Sequence, residues 1–403
     1  MEMKNRFLKY VKVDTQSNES SDTCPSTEKQ YNLLRMLKKD LIEIGMDHVE
    51  LDSNGYIYAT LEKNVDKSMK NIGFIAHVDT APSFNGENVN PIVIQNYDGN
   101  DIILNEKEDI VLKTKDFPEI LNYKDQELIV TDGTSLLGAD DKAGICEIIE
   151  ALKFIIDNDI KHGNIEVSFT PDEEIGRGAD KFDVQKFGAD YAYTIDGGQI
   201  GELQYENFNA ASAYINIQGV NVHPGSAKNK MINSLRIGFE LDDLLSEFDR
   251  PEYTEGYEGF FHLLNMNGDV ENTKMHYIIR DHDKEKFNKK KEFIKSACKF
   301  LNDKYDREII KLELKDSYYN MKEKITPVYK IVENAKKAME EEGIEPIIKP
   351  IRGGTDGARL SYMGLPTPNI FTGGHNFHGK FEYIPTKSMI KAKDVIINLC
   401  MLD

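Results

Sequence analysis

The chain has 403 residues, 40% of them hydrophobic, which is room for two or three domains of ~150 residues with real cores. Its net charge of −19, from 50 basic and 69 acidic residues, argues against nucleic acid as a partner, because no basic face is left to meet phosphates. No run approaches the ~20 apolar residues of a membrane span, the N-terminus lacks the apolar centre of a signal peptide, and the four cysteines (Cys24, Cys146, Cys298, Cys400) form no CxxC pair; a membrane partner, disulfides and a thiolate metal site are not expected, and a reducing cytoplasm is.

In chain order, KNIGFIAHVDT (70–80) is a nearly continuous apolar run, the pattern of a strand covered on both faces, and it ends in His77 and Asp79. After the turn-like LLGADDK, which carries Asp140 and Asp141, Ile145, Ile148, Ile149, Leu152 and Ile156 repeat at helical spacing. A second apolar run, NIEVSFTPDEE (164–174), ends in Asp172, Glu173 and Glu174. Neighbouring side chains on a strand point to opposite faces, so Glu173 and Glu174 can address one site only if the backbone turns there, and Pro171 and Gly176 support such a turn. A third run, DYAYTIDGG (190–198), carries Asp196.

The pattern then changes. In ASAYINIQGV, Ala211, Ala213, Ile215 and Ile217 share one face while Ser212, Tyr214, Asn216 and Gln218 share the other, which predicts a strand with one wet side. A helix, two strands, a Lys-rich helix and a last strand follow, the βαββαβ order of a ferredoxin-like unit. Residues 208–320 are therefore expected to form an inserted α+β domain, and 1–207 with 321–403 a discontinuous α/β domain with a mostly parallel sheet. That domain resumes with the helical TPVYKIVENAKKAMEEEG and the apolar TPNIFTGG, which is followed by HNFHG with His375 and His378.

Ligands of open α/β sheets bind beyond the carboxyl ends of the strands, so these polar strand ends are candidates to converge. Five carboxylates and two imidazoles in one crevice require compensating cations. Nitrogen with carboxylate ligation suits zinc, and cobalt or manganese accepts it too. Taken singly, each motif has an ordinary reading: Asp140 and Asp141 favour a helix N-terminus, YTIDGG is a turn, and HNFHG does not say which histidine matters. His48, His162, His262, His276 and His282 lack partner patterns and are expected to be packing or surface residues.

Together HVDT, LLGADDKAG, TPDEEIGRG, TIDGG, VHPG, GGTDGA and NFHGKFEY resemble, in order, the motifs of the M20 metallopeptidases, and within them the peptidase T group of aminotripeptidases. The resemblance implies two zinc ions, one on His77, Asp140 and Asp196, the other on Asp140, Glu174 and His378, with Asp140 bridging. It implies Glu173 as general base, Asp79 as the acid that orients His77, and a cis peptide between Asp140 and Asp141. His223 and Arg280 match substrate-binding positions, the first polarising the scissile carbonyl and the second holding the peptide's C-terminal carboxylate. The GGTDG turn, with Gly354, would offer N–H groups to the same anion. The implied activity is attack of a metal-activated hydroxide on the first peptide bond of a tripeptide, by a homodimer formed through the inserted domain. A dipeptidase or N-acyl amino acid deacylase of the same fold is the alternative. A non-catalytic metal- or peptide-binding scaffold is a third reading, against which Glu173 argues, since a scaffold needs ligands but no base beside them.

Overall fold

The computed structural model describes residues 2–401 and divides into two compact units. The first takes the chain up to Tyr205, Glu323–Lys349, and everything from Thr355 on; the second takes Glu206–Lys322 and Pro350–Gly354.

The first unit is built on an eight-stranded sheet, in the order Val49–Leu51, Ile57–Leu61, Ile165–Thr170, Ile72–His77, Tyr191–Gly197, Asn369–Phe371, Glu202–Gln204, Ile347–Ile348. Four of its seven pairings are parallel, three of them around Ile72–His77 and Tyr191–Gly197. All six residues of Ile72–His77 and of Ile165–Thr170 are buried, as continuous apolar runs require. The polar residues inside the second run are satisfied locally: Thr60 Oγ1 donates to Glu166 and Ser168 Oγ to the Ile57 carbonyl.

Helix Ala139–Asp157 packs on Ile72–His77 and Tyr191–Gly197, and against the helices Met3–Tyr10, Gln30–Ile44 and Thr386–Met401. Its approach to the sheet is close: a Cβ on Gly144 would lie 2.0 Å from the Ile195 carbonyl, so any side chain there would push the helix off the strand. The sequence did not announce the antiparallel edge strand Val49–Leu51 or the three-stranded sheet of Pro91–Ile94, Leu128–Thr131 and Tyr383–Pro385. These elements are three or four residues long, too short for a period to register.

The second unit has the order expected from sequence: strand Asn209–Gln218, helix Ser234–Leu244, strands Phe260–Gly268 and Asn272–Asp281, helix Lys284–Lys304 and strand Ile310–Tyr318. Its sheet is antiparallel throughout, with Asn209–Gln218 between Asn272–Asp281 and Ile310–Tyr318. Ala211, Ala213, Ile215 and Ile217 face the helices and pack with Ile237, Leu241, Phe287, Ile294 and Leu301, while Tyr214 and Asn216 are exposed. No helix among the described residues is long and apolar enough to cross a membrane.

Candidate metal centre

The parallel register of the first unit brings three strand ends to one edge. His77 closes its strand opposite Thr170, the chain after Thr170 reaches Glu173 and Glu174, and Asp196 stands near the end of the neighbouring strand. Asp172 takes a left-handed φ of +61°, Glu173–Ile175 form a single 3-10 turn, and Gly176 takes φ +70°. The backbone thus leaves strand geometry where the two glutamates need it to. The helix from Ala139 delivers Asp140, whose peptide bond to Asp141 is cis.

The side chains converge on Asp140. Its Oδ1 lies 2.9 Å from His77 Nε2 and its Oδ2 3.0 Å from His378 Nε2. His77 Nε2 is also 3.5 Å from Asp196, and His378 Nε2 is 2.9 Å from Glu174 Oε2. Ligand atoms of His77, Asp140 and Glu174 all lie within 4.8 Å of one another, and so do those of His77, Glu173 and Asp196. Of the two histidines in HNFHG, only His378 reaches the cluster. His375 is buried with its Nε2 2.7 Å from the Tyr123 hydroxyl and its ring stacked on Tyr383, and burial lowers its pKa to about 4.

Asp79 ties the turn to the strand end. Its carboxylate accepts the Glu173 N–H at 3.0 Å and the Glu174 N–H at 3.2 Å. Its backbone carbonyl is 3.0 Å from His77 Nδ1, nearer than its own carboxylate at 3.4 Å, so ring orientation comes first from the main chain.

Electrostatically the cluster is a set of acids that cannot all ionise together. Burial, then the charge of Asp140, raises Glu174 to about 8. Burial raises Asp196 to about 6, and burial with the charge of Asp196 raises Glu173 well above the usual carboxylate range. Asp140 goes the other way: burial opposes its charge, but hydrogen bonds from His378 and His77 outweigh it and hold the acid below its ordinary value. Those of Asp140 and Glu174 raise His378 to about 11. His77, although burial works against its charge, is raised well above ordinary by Asp140, Asp196 and Asp79.

The donor set fits a pair of divalent ions. Each oxygen of one carboxylate faces a different imidazole, which is the arrangement of a bridging ligand, and Glu174 Oε1 is buried without a hydrogen-bond partner.

Several supporting residues lie inside the quoted motifs, which did not disclose what they hold. The buried Glu382 accepts the N–H groups of Leu137, Gly138, Ala139 and Asp140 at 2.7, 3.0, 2.7 and 3.2 Å, so one carboxylate shapes the whole approach to Asp140. Asp141 accepts the His77 N–H at 3.1 Å and the Gly144 N–H at 3.3 Å. Asp356 is buried, raised by burial to about 7, accepts from Thr170 Oγ1, and leaves no room for a side chain at Gly178, where a Cβ would lie 2.1 Å away.

His223, Arg280 and Gly354 belong to the second unit. His223 is exposed, its Nδ1 accepting the Gly225 N–H at 3.1 Å. Arg280 and Tyr318 both pair with Ala210, and across that small residue the guanidinium stands 5.3 Å from the centre of the Tyr318 ring. Gly354 packs against the same ring, with 2.8 Å between it and a hypothetical Cβ. Arg280, Tyr318 and Gly354 are thus brought together, while His223 lies on a separate loop of that unit.

Residues 133–401 match the model of peptidase family M20/M25/M40. The chain belongs to peptidase family M20. Within the family it is 60% identical to peptidase T of Clostridium acetobutylicum over 402 residues, covering all of this chain and 98% of the relative. It is also 60% identical to peptidase T of Bacillus subtilis over 399 residues, covering 99% and 97% of the two chains. Among solved structures, the aminopeptidase PepT from Bacillus cereus superposes with a TM-score of 0.78 at 23% identity, and a tripeptidase from Staphylococcus aureus with 0.80 at 21%, each covering 99% of this chain and 97% of the other. At that identity they share the fold; the full-length likeness to peptidase T places this M20 chain in the peptidase T group.

Proposed function

We infer that the chain is a metal-dependent aminopeptidase that removes the N-terminal residue of tripeptides and leaves a dipeptide. The observation that carries this reading is Asp140 with one oxygen 2.9 Å from His77 and the other 3.0 Å from His378, beside a glutamate that is not needed as a ligand. Membership of the peptidase T group supports the tripeptide preference.

His77, Asp140 and Asp196 would hold one ion and Asp140, Glu174 and His378 the other; zinc is our assignment, with cobalt or manganese as substitutes. Bound there, such ions supply Lewis acidity that lowers the pKa of water from ~15.7 toward ~7. Glu173, placed by the 3-10 turn beside the ligand Glu174, takes a proton from the attacking water. The water oxygen bonds to the carbonyl carbon, the carbon–nitrogen bond breaks, and Glu173 passes the proton to the departing amine. Asp79 keeps the base in register with His77, because one carboxylate holds both amides of the Glu173–Glu174 turn. We assign His223 to the polarised carbonyl, and Arg280 with the Gly354 turn to the substrate's terminal carboxylate. We also propose a homodimer through the second unit and a cytoplasmic location.

A rate panel tests the function. Tripeptides should be cleaved well ahead of dipeptides, tetrapeptides and N-acetyl amino acids, and a chelator should abolish the activity until zinc is restored. Equal rates on tetrapeptides would contradict it, and preference for acetyl amino acids would favour the deacylase alternative.

A further inference from the structure

One segment of the first unit wraps the metal centre without contributing to it. At one end, Gln16 Nε2 donates to the Ala81 and Phe84 carbonyls at 2.9 and 2.6 Å, and the Ser17 N–H to the Thr80 carbonyl at 3.2 Å, which fixes the segment to the chain just beyond His77. At the other end it is fixed to the acidic turn. Asp172 accepts the Ser26 N–H and the Gln30 side chain, each at 2.7 Å, and Arg177 donates to the carbonyls of Ser21 and Glu19. Asp172, the first acid of DEE and not a ligand, is therefore an anchor for residues 16–30.

Stretched between these anchors, Asn18, Glu19 and Ser20 wall a cavity of about 390 Å³, whose other walls are Ala81, Pro82, Ser83, Glu174 and His378. The cavity therefore begins at two metal-site residues and ends at a tethered loop. Of the two acidic residues that line it, Glu174 is directed to His378 and the metal site, and Glu19 is exposed.

We propose that this cavity receives the N-terminal residue of the substrate, and that the Glu19 carboxylate pairs with its free α-ammonium group. The inference rests on the aminopeptidase reading above. An enzyme that cuts after one residue has to end its cleft one residue past the scissile carbonyl, and the loop 18–20 closes a cavity that opens from Glu174 and His378. It must also distinguish an ammonium from an acylated nitrogen. An ammonium brought beside divalent cations is repelled unless a carboxylate compensates it, whereas an acylated nitrogen brings no charge and leaves that carboxylate without a partner. Ala81 and Pro82 offer a small apolar wall to the first side chain, which suits broad acceptance rather than selection for one residue type.

The test compares wild type with Glu19→Gln on a free tripeptide and on the same peptide lacking only its α-amino group. In the variant, KM for the free tripeptide should rise about tenfold with kcat little changed, the preference over the desamino peptide should shrink by the same factor, and metal content by elemental analysis should stay at the wild-type value. Glu19→Lys, which places a like charge against the ammonium, should raise KM further. A wild type that cleaves the tripeptide, with a Glu19→Gln variant whose KM and preference stay within twofold, would overturn the subsite alone. A wild type that cleaves no tripeptide would overturn the functional reading and the subsite together.

Discussion

The main sheets of the two units handle polar groups in opposite ways. In the first unit the strands Ile72–His77 and Ile165–Thr170 are buried along their whole length, so ionisable side chains free to act collect where the strands end. In the second unit, strand Asn209–Gln218 alternates, and Ser212, Tyr214, Asn216 and Gln218 share one face. Crowding at the strand ends drives pKa values apart: burial, then the charge of Asp140, takes Glu174 up to about 8, while the hydrogen bonds that the imidazoles make raise His378 to about 11 and hold Asp140 low. A sheet covered on both faces thus concentrates chemistry at one edge, and a half-covered sheet offers a surface for contact.

The sharpest way to break that contrast is at the crowded edge. Glu173→Gln should lower kcat by about 10²–10⁴-fold, the usual weight of a positioned proton carrier, with metal content unchanged. Steady-state kinetics at wild-type rates would show that the edge does not do the chemistry. Next comes the covered face of the alternating strand: Ile217→Ala should cost about 2–5 kcal/mol in denaturant unfolding of the second unit, because the removed atoms leave a cavity among packed neighbours. Glu382→Gln should weaken metal binding about 10–100-fold in a chelator competition, since an amide keeps only one acceptor oxygen and sets an NH2 donor against the other pair of the four N–H groups that shape the Asp140 loop.

Metal affinity should also depend on pH. In the ion-free cluster His378 at about 11 and Glu174 at about 8 hold protons at pH 7, His77 is raised in the same direction, and ligation must expel the protons these ligands carry. Affinity should therefore rise with pH through neutrality, by about tenfold per unit for each proton released, and calorimetry in buffers of different ionisation enthalpy counts those protons. The smallest effect belongs to the wet face: Asn216→Ala, one residue from Ile217, should change stability by no more than about 0.5 kcal/mol.

What the sequence disclosed follows the same division. The strand ends were readable because a continuous apolar run and its polar terminus lie in one short stretch, as in IAHVDT and VSFTPDEE. The alternating strand and the βαββαβ order were readable because a period of two is visible within ten residues. The task of Glu382 was not: it stands in NFHGKFEY, but its four partners lie more than 240 residues earlier. The task of Asp172 is hidden for the same reason: Ser26 and Gln30 are more than 140 residues away. The choice of His378 over His375 could not come from spacing, since what excludes His375 is Tyr123, a partner 252 residues distant.

The central claim is that Asp140 is shared between two ions at the covered sheet's edge. Elemental analysis of purified wild type, His378→Ala and Asp140→Ala tests it most directly. Two ions per chain are expected in the wild type, one in His378→Ala and none in Asp140→Ala. An Asp140→Ala protein that is folded and still carries an ion at full occupancy would contradict it.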